Sequence, residues 1–83
     1  MNKPIQKYKS GSIECAIWAN ERELNGNVVE FKTVSLRKAW KDDKVWRDSV
    51  INFRRGDLPR AILVLEKAQE NLLLDNNEVE ENE

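Results

Sequence analysis

Residues 57–74 read DLPRAILVLEKAQENLLL, and this stretch gives the clearest structural signal in the chain. Asp57 is a favourable N-cap residue, and Pro59 falls in the first turn, where a backbone N–H has no helical partner to lose. Apolar side chains recur at helical spacing, at positions 58, 61, 62, 65, 68, 72 and 73. The stretch predicts one amphipathic helix from Leu58 to about Leu74.

Four stretches before this helix have the composition of β-strands. They cover residues 4–9, 12–19, 28–38 and 45–53. Residues 12–19 alternate with period two, and residues 28–38 are rich in β-branched and aromatic side chains. Residues 28–38 have apolar side chains on both faces, which indicates either a bulge or burial of both faces. Turn signals separate the strands at Ser10-Gly11, at Asn25-Gly26-Asn27 and at residues 41–44.

The order of these elements predicts an α+β fold over residues 4–74. Antiparallel strands followed by one helix form a four-stranded sheet and a C-terminal helix (ββββα), with the helix expected to cover one face of the sheet. A body this small often needs a partner to complete its core. Leu63 and Leu74 lie off the main apolar side of the helix, so we expect a homodimer formed through these two leucines or through a sheet edge.

Charge is distributed unevenly along the 83 residues. Residues 1–65 carry 13 Lys or Arg against 8 Asp or Glu, whereas residues 66–83 carry 1 against 7. Residues 75–83 (DNNEVEENE) contain a single apolar residue and predict a disordered acidic tail. The tail either keeps the protein in solution, competes with nucleic acid for the basic body, or recruits other proteins.

The composition excludes several kinds of chemistry. The single cysteine, Cys15, cannot form an internal disulfide, and the absence of histidine excludes Cys/His zinc sites and Ser-His-Asp catalysis. Asp42, Asp43 and Asp48 are interpreted as turn formers, so we expect no metal, no cofactor and no enzymatic activity. No apolar run reaches the length of a membrane span and residues 1–10 do not resemble a signal peptide, which favours a cytoplasmic protein.

Basic and aromatic residues alternate in residues 31–60, which predicts a nucleic-acid interface. This segment has 9 Lys or Arg against 4 Asp or Glu. Proteins that bind single strands combine positive charge with aromatic rings on which bases stack. Trp40 and Trp46 are expected to come close together in the last hairpin. The candidate binding residues are Arg37, Lys38, Trp40, Lys41, Lys44, Trp46, Arg47 and Arg54.

These residues also permit other interpretations. Trp18 follows Ile17 in a regular strand and is assigned to packing. Trp40 and Trp46 are equally compatible with a core or a dimer interface. The sequence therefore predicts single-stranded DNA or RNA binding, with a protein-interaction or assembly module as the alternative.

Several of these motifs resemble those of a family of small uncharacterised microbial and phage proteins. The matching residues are Gly11-Ser12-Ile13, Ile17-Trp18, residues 31–42 (FKTVSLRKAWKD), Trp46-Arg47-Asp48-Ser49 and Asp57-Leu58-Pro59. The element order is also similar to that of the positive-cofactor-type transcriptional coactivators. That resemblance implies dimers of ββββα units that bind single-stranded DNA on curved sheets.

Overall fold

Four antiparallel strands followed by one helix make up the computed structural model, which describes residues 3–75. The strands are β1 (Pro4–Ser10), β2 (Ile13–Leu24), β3 (Asn27–Asp42) and β4 (Val45–Arg54), and a 3₁₀ turn (Arg55–Asp57) leads into helix α1 (Leu58–Leu74). The strands form one sheet in the order β1-β2-β3-β4, with every neighbouring pair antiparallel. The predicted α+β fold with ββββα order is confirmed.

Strands β2 and β3 are longer than the sequence predicts. They stay paired from Ile13 with Lys38 as far as Leu24 with Asn27, so polar residues 20–23 belong to a strand. Strand β1 pairs with β2 only up to Trp18, and β4 pairs with β3 only from Thr33 onward. Residues 19–32 therefore form a two-stranded extension of the sheet, which we call the hairpin arm.

Tight turns connect the strands at the predicted places. Asn25 and Gly26 both have positive φ, at 52° and 80°, which is the sign pattern of a type I′ hairpin turn. In the other two turns only the first central residue has positive φ, Gly11 at 58° and Asp43 at 61°. Asp43 therefore adopts a left-handed backbone conformation. This conformation is strained for a residue with a Cβ atom, whereas glycine adopts it at little cost in free energy.

The mixed apolar pattern of β3 does not come from a bulge. Its pairing with β2 and β4 runs without a shift, and the register shift of the sheet lies in β1, between Pro4 and Gln6. The bulge alternative for residues 28–38 is wrong. Strand β3 places apolar side chains on both sides of the sheet.

Helix α1 begins at Leu58, as predicted, but it does not cover the sheet. It packs against the 3₁₀ turn, and beyond the half-buried Leu58 and Ala61 its apolar side chains remain exposed, with Leu65 at 61% and Leu72 at 57%. The Asp57 carboxylate accepts a hydrogen bond from the Arg54 backbone N–H (3.0 Å), which fixes the 3₁₀ turn and does not cap α1. The expectation that the helix covers a sheet face of its own chain is wrong, because this turn directs α1 away from the sheet.

Residues 3–75 of a single chain form almost no core. Among residues 3–75 only Ala16 is a buried apolar residue, at 5% exposure. The Cα radius of gyration is 17.2 Å, against about 12 Å for a compact domain of this length. Among the described residues there is no helix long and apolar enough to cross a membrane.

Candidate nucleic-acid interface

The strand register gives the two sides of the sheet different chemistry. One row across all four strands contains Tyr8, Cys15, Leu36 and Ile51. Because neighbouring residues of a strand point to opposite sides, the adjacent row of Lys9, Glu14, Arg37 and Val50 lies on the other side. We call the side with Tyr8 and Leu36 the apolar face and the side with Lys9 and Arg37 the basic face.

The basic face has a surplus of positive charge. Its strands contribute six basic and two acidic side chains, a net charge of +4. These are Lys7, Lys9, Arg22, Arg37, Lys41, Arg54, Glu14 and Asp48. The strand residues of the apolar face carry three basic and four acidic side chains, so the surplus belongs to one face alone. They are Lys32, Lys38, Arg47, Glu21, Glu23, Glu30 and Asp42.

Most cations of the basic face have no carboxylate partner. Arg37 pairs with Asp48 (Nε to Oδ2, 2.9 Å), and this pair is about half exposed to solvent. Within residues 3–75 no carboxylate lies at ion-pair distance from any of the five remaining cations; Arg22 lies over the Phe31 ring instead (5.0 Å to its centroid), and the other four have no such contact. They are Lys7, Lys9, Lys41 and Arg54. These side chains are available to neutralise an external anion.

Trp18 is held on the basic face by a hydrogen bond. Its indole Nε1–H donates to Ser35 Oγ (2.9 Å), and the residue is half-buried. Beside it, the Asn20 side-chain amide donates to Thr33 Oγ1 (3.0 Å). The two bonds join β2 to β3 and fix the ring against the sheet. Trp18, which the sequence assigns to packing, therefore lies on the polar side of the sheet, opposite Ile17.

Two depressions adjoin each other on the basic face. One, of about 310 Å³, is lined by residues that include Lys7, Trp18 and Asn52. The other, of about 320 Å³, is lined by residues that include Lys9 and Trp46. Glu14 and Arg37 line both, so the depressions form one trough between the two indoles.

Trp46 lies near the far end of this trough. It is 69% exposed and faces the same side as Lys41, its cross-strand partner. The partners of Trp18 and Trp46 in β3 are Thr33 and Lys41. Eight residues of strand separate these partners, a distance of about 26 Å. The trough is therefore long enough for an extended ligand.

The predicted site residues do not form one cluster. Arg37, Lys41, Trp46 and Arg54 lie on the basic face, and Lys38, Trp40 and Arg47 lie on the apolar face. Lys44 lies in the turn between β3 and β4. Arg47 forms an ion pair with Asp42 on its own face (Nε to Oδ2, 3.0 Å).

Trp40 and Trp46 lie in the last hairpin, but their side chains do not come together as expected. Trp40 pairs with Arg47, and Trp46 pairs with Lys41, the residue after Trp40. Neighbouring residues of a strand point to opposite sides, so the sheet separates the two indoles.

The candidate site gains Lys7, Lys9 and Trp18, which the sequence analysis leaves out. The signal for the lysines is the alternation of β1, where Gln6 and Tyr8 face one side and the lysines face the other. For Trp18 the signal is the same alternation in β2, which separates it from Ile17.

The remaining predicted positions are the two helix leucines, the cysteine and the acidic tail. Leu63 and Leu74 are 57% and 74% exposed. Cys15 is half-buried on the apolar face and is a free thiol. The predicted acidic tail lies outside the described residues except for Asp75.

Comparisons with protein-family models, with curated proteins and with solved structures find no match to this chain. The resemblance to small microbial and phage proteins and to the coactivator fold remains a prediction.

Proposed function

We propose that the protein is a non-catalytic, cytoplasmic single-stranded nucleic-acid-binding protein that acts as a homodimer and binds through its basic face. The observation that carries this proposal is the grouping of two indoles and a net charge of +4 on one side of the sheet. Single-strand binders combine these two features, because the charges hold the phosphates and the rings stack on the bases.

The shape of the basic face favours a single strand over a duplex. Trp18 and Trp46 bound an open trough, and bases can reach an aromatic ring in such a trough only when they are unpaired. The phosphates of a duplex would contact the cations, but its paired bases would not stack on the two indole rings. We therefore expect oligo-dT or oligo-U to bind more tightly than a duplex of equal length at the same salt concentration.

The test is a fluorescence titration of the full chain with oligo-dT, oligo-U and a matched duplex. Stacking quenches tryptophan fluorescence, and affinity falls with salt at a slope of about −0.7 per phosphate neutralised. Lys7→Ala with Lys9→Ala should reduce the magnitude of this slope by up to about 1.4. Lys38→Ala removes a charge from the apolar face and serves as the matched control, with an unchanged slope.

The alternative is a protein-interaction or assembly module, which the uncovered apolar side of α1 favours. If neither single strand quenches fluorescence or changes mobility at low salt, this alternative replaces nucleic-acid binding. Equal affinity for the duplex and the single strand would point to a general polyanion-binding surface.

A further inference from the structure

The apolar face of the sheet lacks a cover within its own chain. Its central row, Tyr8-Cys15-Leu36-Ile51, contains no charged residue, and the next row adds Ile17, Val34 and Phe53. Tyr8 and Ile51 are 59% and 53% exposed, and the other members of the two rows named here are half-buried. A four-strand apolar surface of this kind normally packs against another layer.

Helix α1 has the complementary surface and is also uncovered. The main apolar side of the helix covers half of its circumference, with Leu65 and Leu72 near the middle of that half and Ile62 towards one edge. These three are 54%, 61% and 57% exposed. At 17 residues the helix is about 26 Å long, and three strand spacings measure about 14 Å. The helix is therefore long enough to cross the whole sheet.

We infer that helix α1 of one copy covers the apolar face of a second copy, and that the exchange is reciprocal. Each chain contains both surfaces of this contact, the apolar face of the sheet and the apolar side of α1. Within one chain the 3₁₀ turn (Arg55–Asp57) keeps these two surfaces apart. A two-fold symmetric pair brings each helix onto the partner's sheet and covers all four surfaces at once. An unrelated partner would have to supply both a helix and a sheet to do the same.

The exposed area agrees with a second copy as the occupant. A compact protein of 9.7 kDa exposes about 5,100 Å², whereas this chain exposes 7876 Å². The difference is larger than the roughly 800 Å² that each partner contributes to an interface of standard size. The exchange also leaves the basic face of each copy open.

The single cysteine of the chain allows a direct test with all 83 residues present. Cys15 lies in the central row of the apolar face, so a cysteine on the facing side of α1 should form a disulfide with it. The variants are Ile62→Cys, Leu65→Cys and Leu72→Cys, each oxidised under mild conditions and run on a non-reducing denaturing gel. Because a disulfide needs a Cα–Cα distance of about 4.4–6.8 Å, we expect at least one of the three to give a covalent dimer.

Two controls identify which thiols react. The same variants made with Cys15→Ser should lose the covalent dimer, because the bond needs the sheet thiol. Leu63→Cys places the thiol on the opposite side of α1 and should give no dimer. The wild-type protein should have twice the chain mass of 9.7 kDa by native mass spectrometry.

Other outcomes overturn the inference. A disulfide within one chain would mean that α1 folds back onto its own sheet. Dimers of Leu63→Cys that persist with Cys15→Ser would mean that the helices pair through Leu63 and Leu74. A monomeric wild-type mass, or a dimer in which none of the three positions reacts with Cys15, would exclude the exchange. The inference rests on the homodimer of the proposed function, but these results do not depend on nucleic acid, so its failure is distinguishable from a failure of nucleic-acid binding.

Discussion

The three tryptophans have different surroundings although they lie in neighbouring strands. Trp18 is held by Ser35 at one end of the trough, and Trp46 is largely exposed near the other end. Trp40 is 39% exposed on the apolar face, on the same side as Lys38 and Arg47. Of the two indoles in the last hairpin, only Trp46 has access to a ligand in the trough.

This difference makes Trp46→Ala and Trp40→Ala a matched pair. We expect Trp46→Ala to weaken binding of oligo-dT by about 1–3 kcal/mol with little change in salt slope, because it removes a stacking ring and no charge. Trp40→Ala should leave the affinity unchanged. The measurement is fluorescence anisotropy of labelled oligo-dT at two salt concentrations. A larger loss with Trp40→Ala would assign binding to the other face.

Asp43 gives a second prediction at the scale of one residue. Its φ of 61° falls where Gly11 stands in the equivalent turn, so Asp43→Gly removes backbone strain. We expect a gain in the free energy of unfolding of up to about 1 kcal/mol, measured by urea denaturation. Lys44→Gly is the control, because that residue has no positive φ and glycine there should destabilise the hairpin. A loss of stability with Asp43→Gly would mean that the aspartate side chain stabilises the turn.

Helix α1 has little packing against the other described elements of its own chain. An isolated helix of about this length is marginal in water, and most helical stability comes from packing. Within residues 3–75 the main contact of α1 with another element is with the short 3₁₀ turn, and Leu73 and Leu74 are more than 70% exposed. Its order should therefore vary with protein concentration if a second copy covers it.

Hydrogen exchange measures this dependence directly. We expect the amides of α1 to exchange faster as the protein is diluted, because dilution dissociates the pair that covers the helix. The amides of residues 13–18 and 33–38, at the centre of the sheet, serve as the internal reference and should change less. Protection of α1 that stays constant over a hundredfold dilution would show that the helix needs no partner.

The order and type of these elements were predictable because their signals are local. The stretch Asp57-Leu58-Pro59 marks the start of the helix, and Asn25-Gly26 marks a two-residue turn. The extent of β2 was not predictable, because residues 20–23 are polar and are strand only through their pairing with β3. The direction of α1 depends on the 3₁₀ turn at residues 55–57, which has no clear sequence signal.

The candidate site was predictable in composition but not in arrangement. The charges of residues 31–60 and the indoles are evident in the sequence. Their faces depend on the length of the last turn, which has two residues, Asp43 and Lys44. A loop with an even number of residues places an even-numbered position opposite an odd-numbered one. Trp40 and Trp46, both even, therefore lie on opposite faces.

At the scale of the whole molecule, positive and negative charge lie in different parts of the chain. The basic face belongs to the sheet, whereas residues 76–83 (NNEVEENE) contain four glutamates and no basic residue. Like charges on a tail and a nucleic acid compete for the same cations. The net charge of −1 for the whole chain therefore understates the attraction of the sheet for an anion.

Deletion of residues 75–83 should tighten binding of oligo-dT, most clearly at low salt, where screening is weakest. The measurement is the dissociation constant of the full chain and the shortened chain at several salt concentrations. A variant with Glu78, Glu80, Glu81 and Glu83 changed to glutamine keeps the length and serves as the control for charge. Equal affinities at every salt concentration would mean that the tail does not compete for the basic face.

The alternation of β3 also determines which genetic changes the chain can tolerate. Strand β3 is paired on both sides without a bulge from Thr33 to Lys38. Loss of a single codon there would shift every later residue by one position and exchange the basic and apolar faces. Substitutions should instead show a tolerance that repeats every two codons, with different requirements at odd and even positions. Related genes should therefore differ in length at codons 11–12, 25–26 and 43–44, and not by one codon within β3.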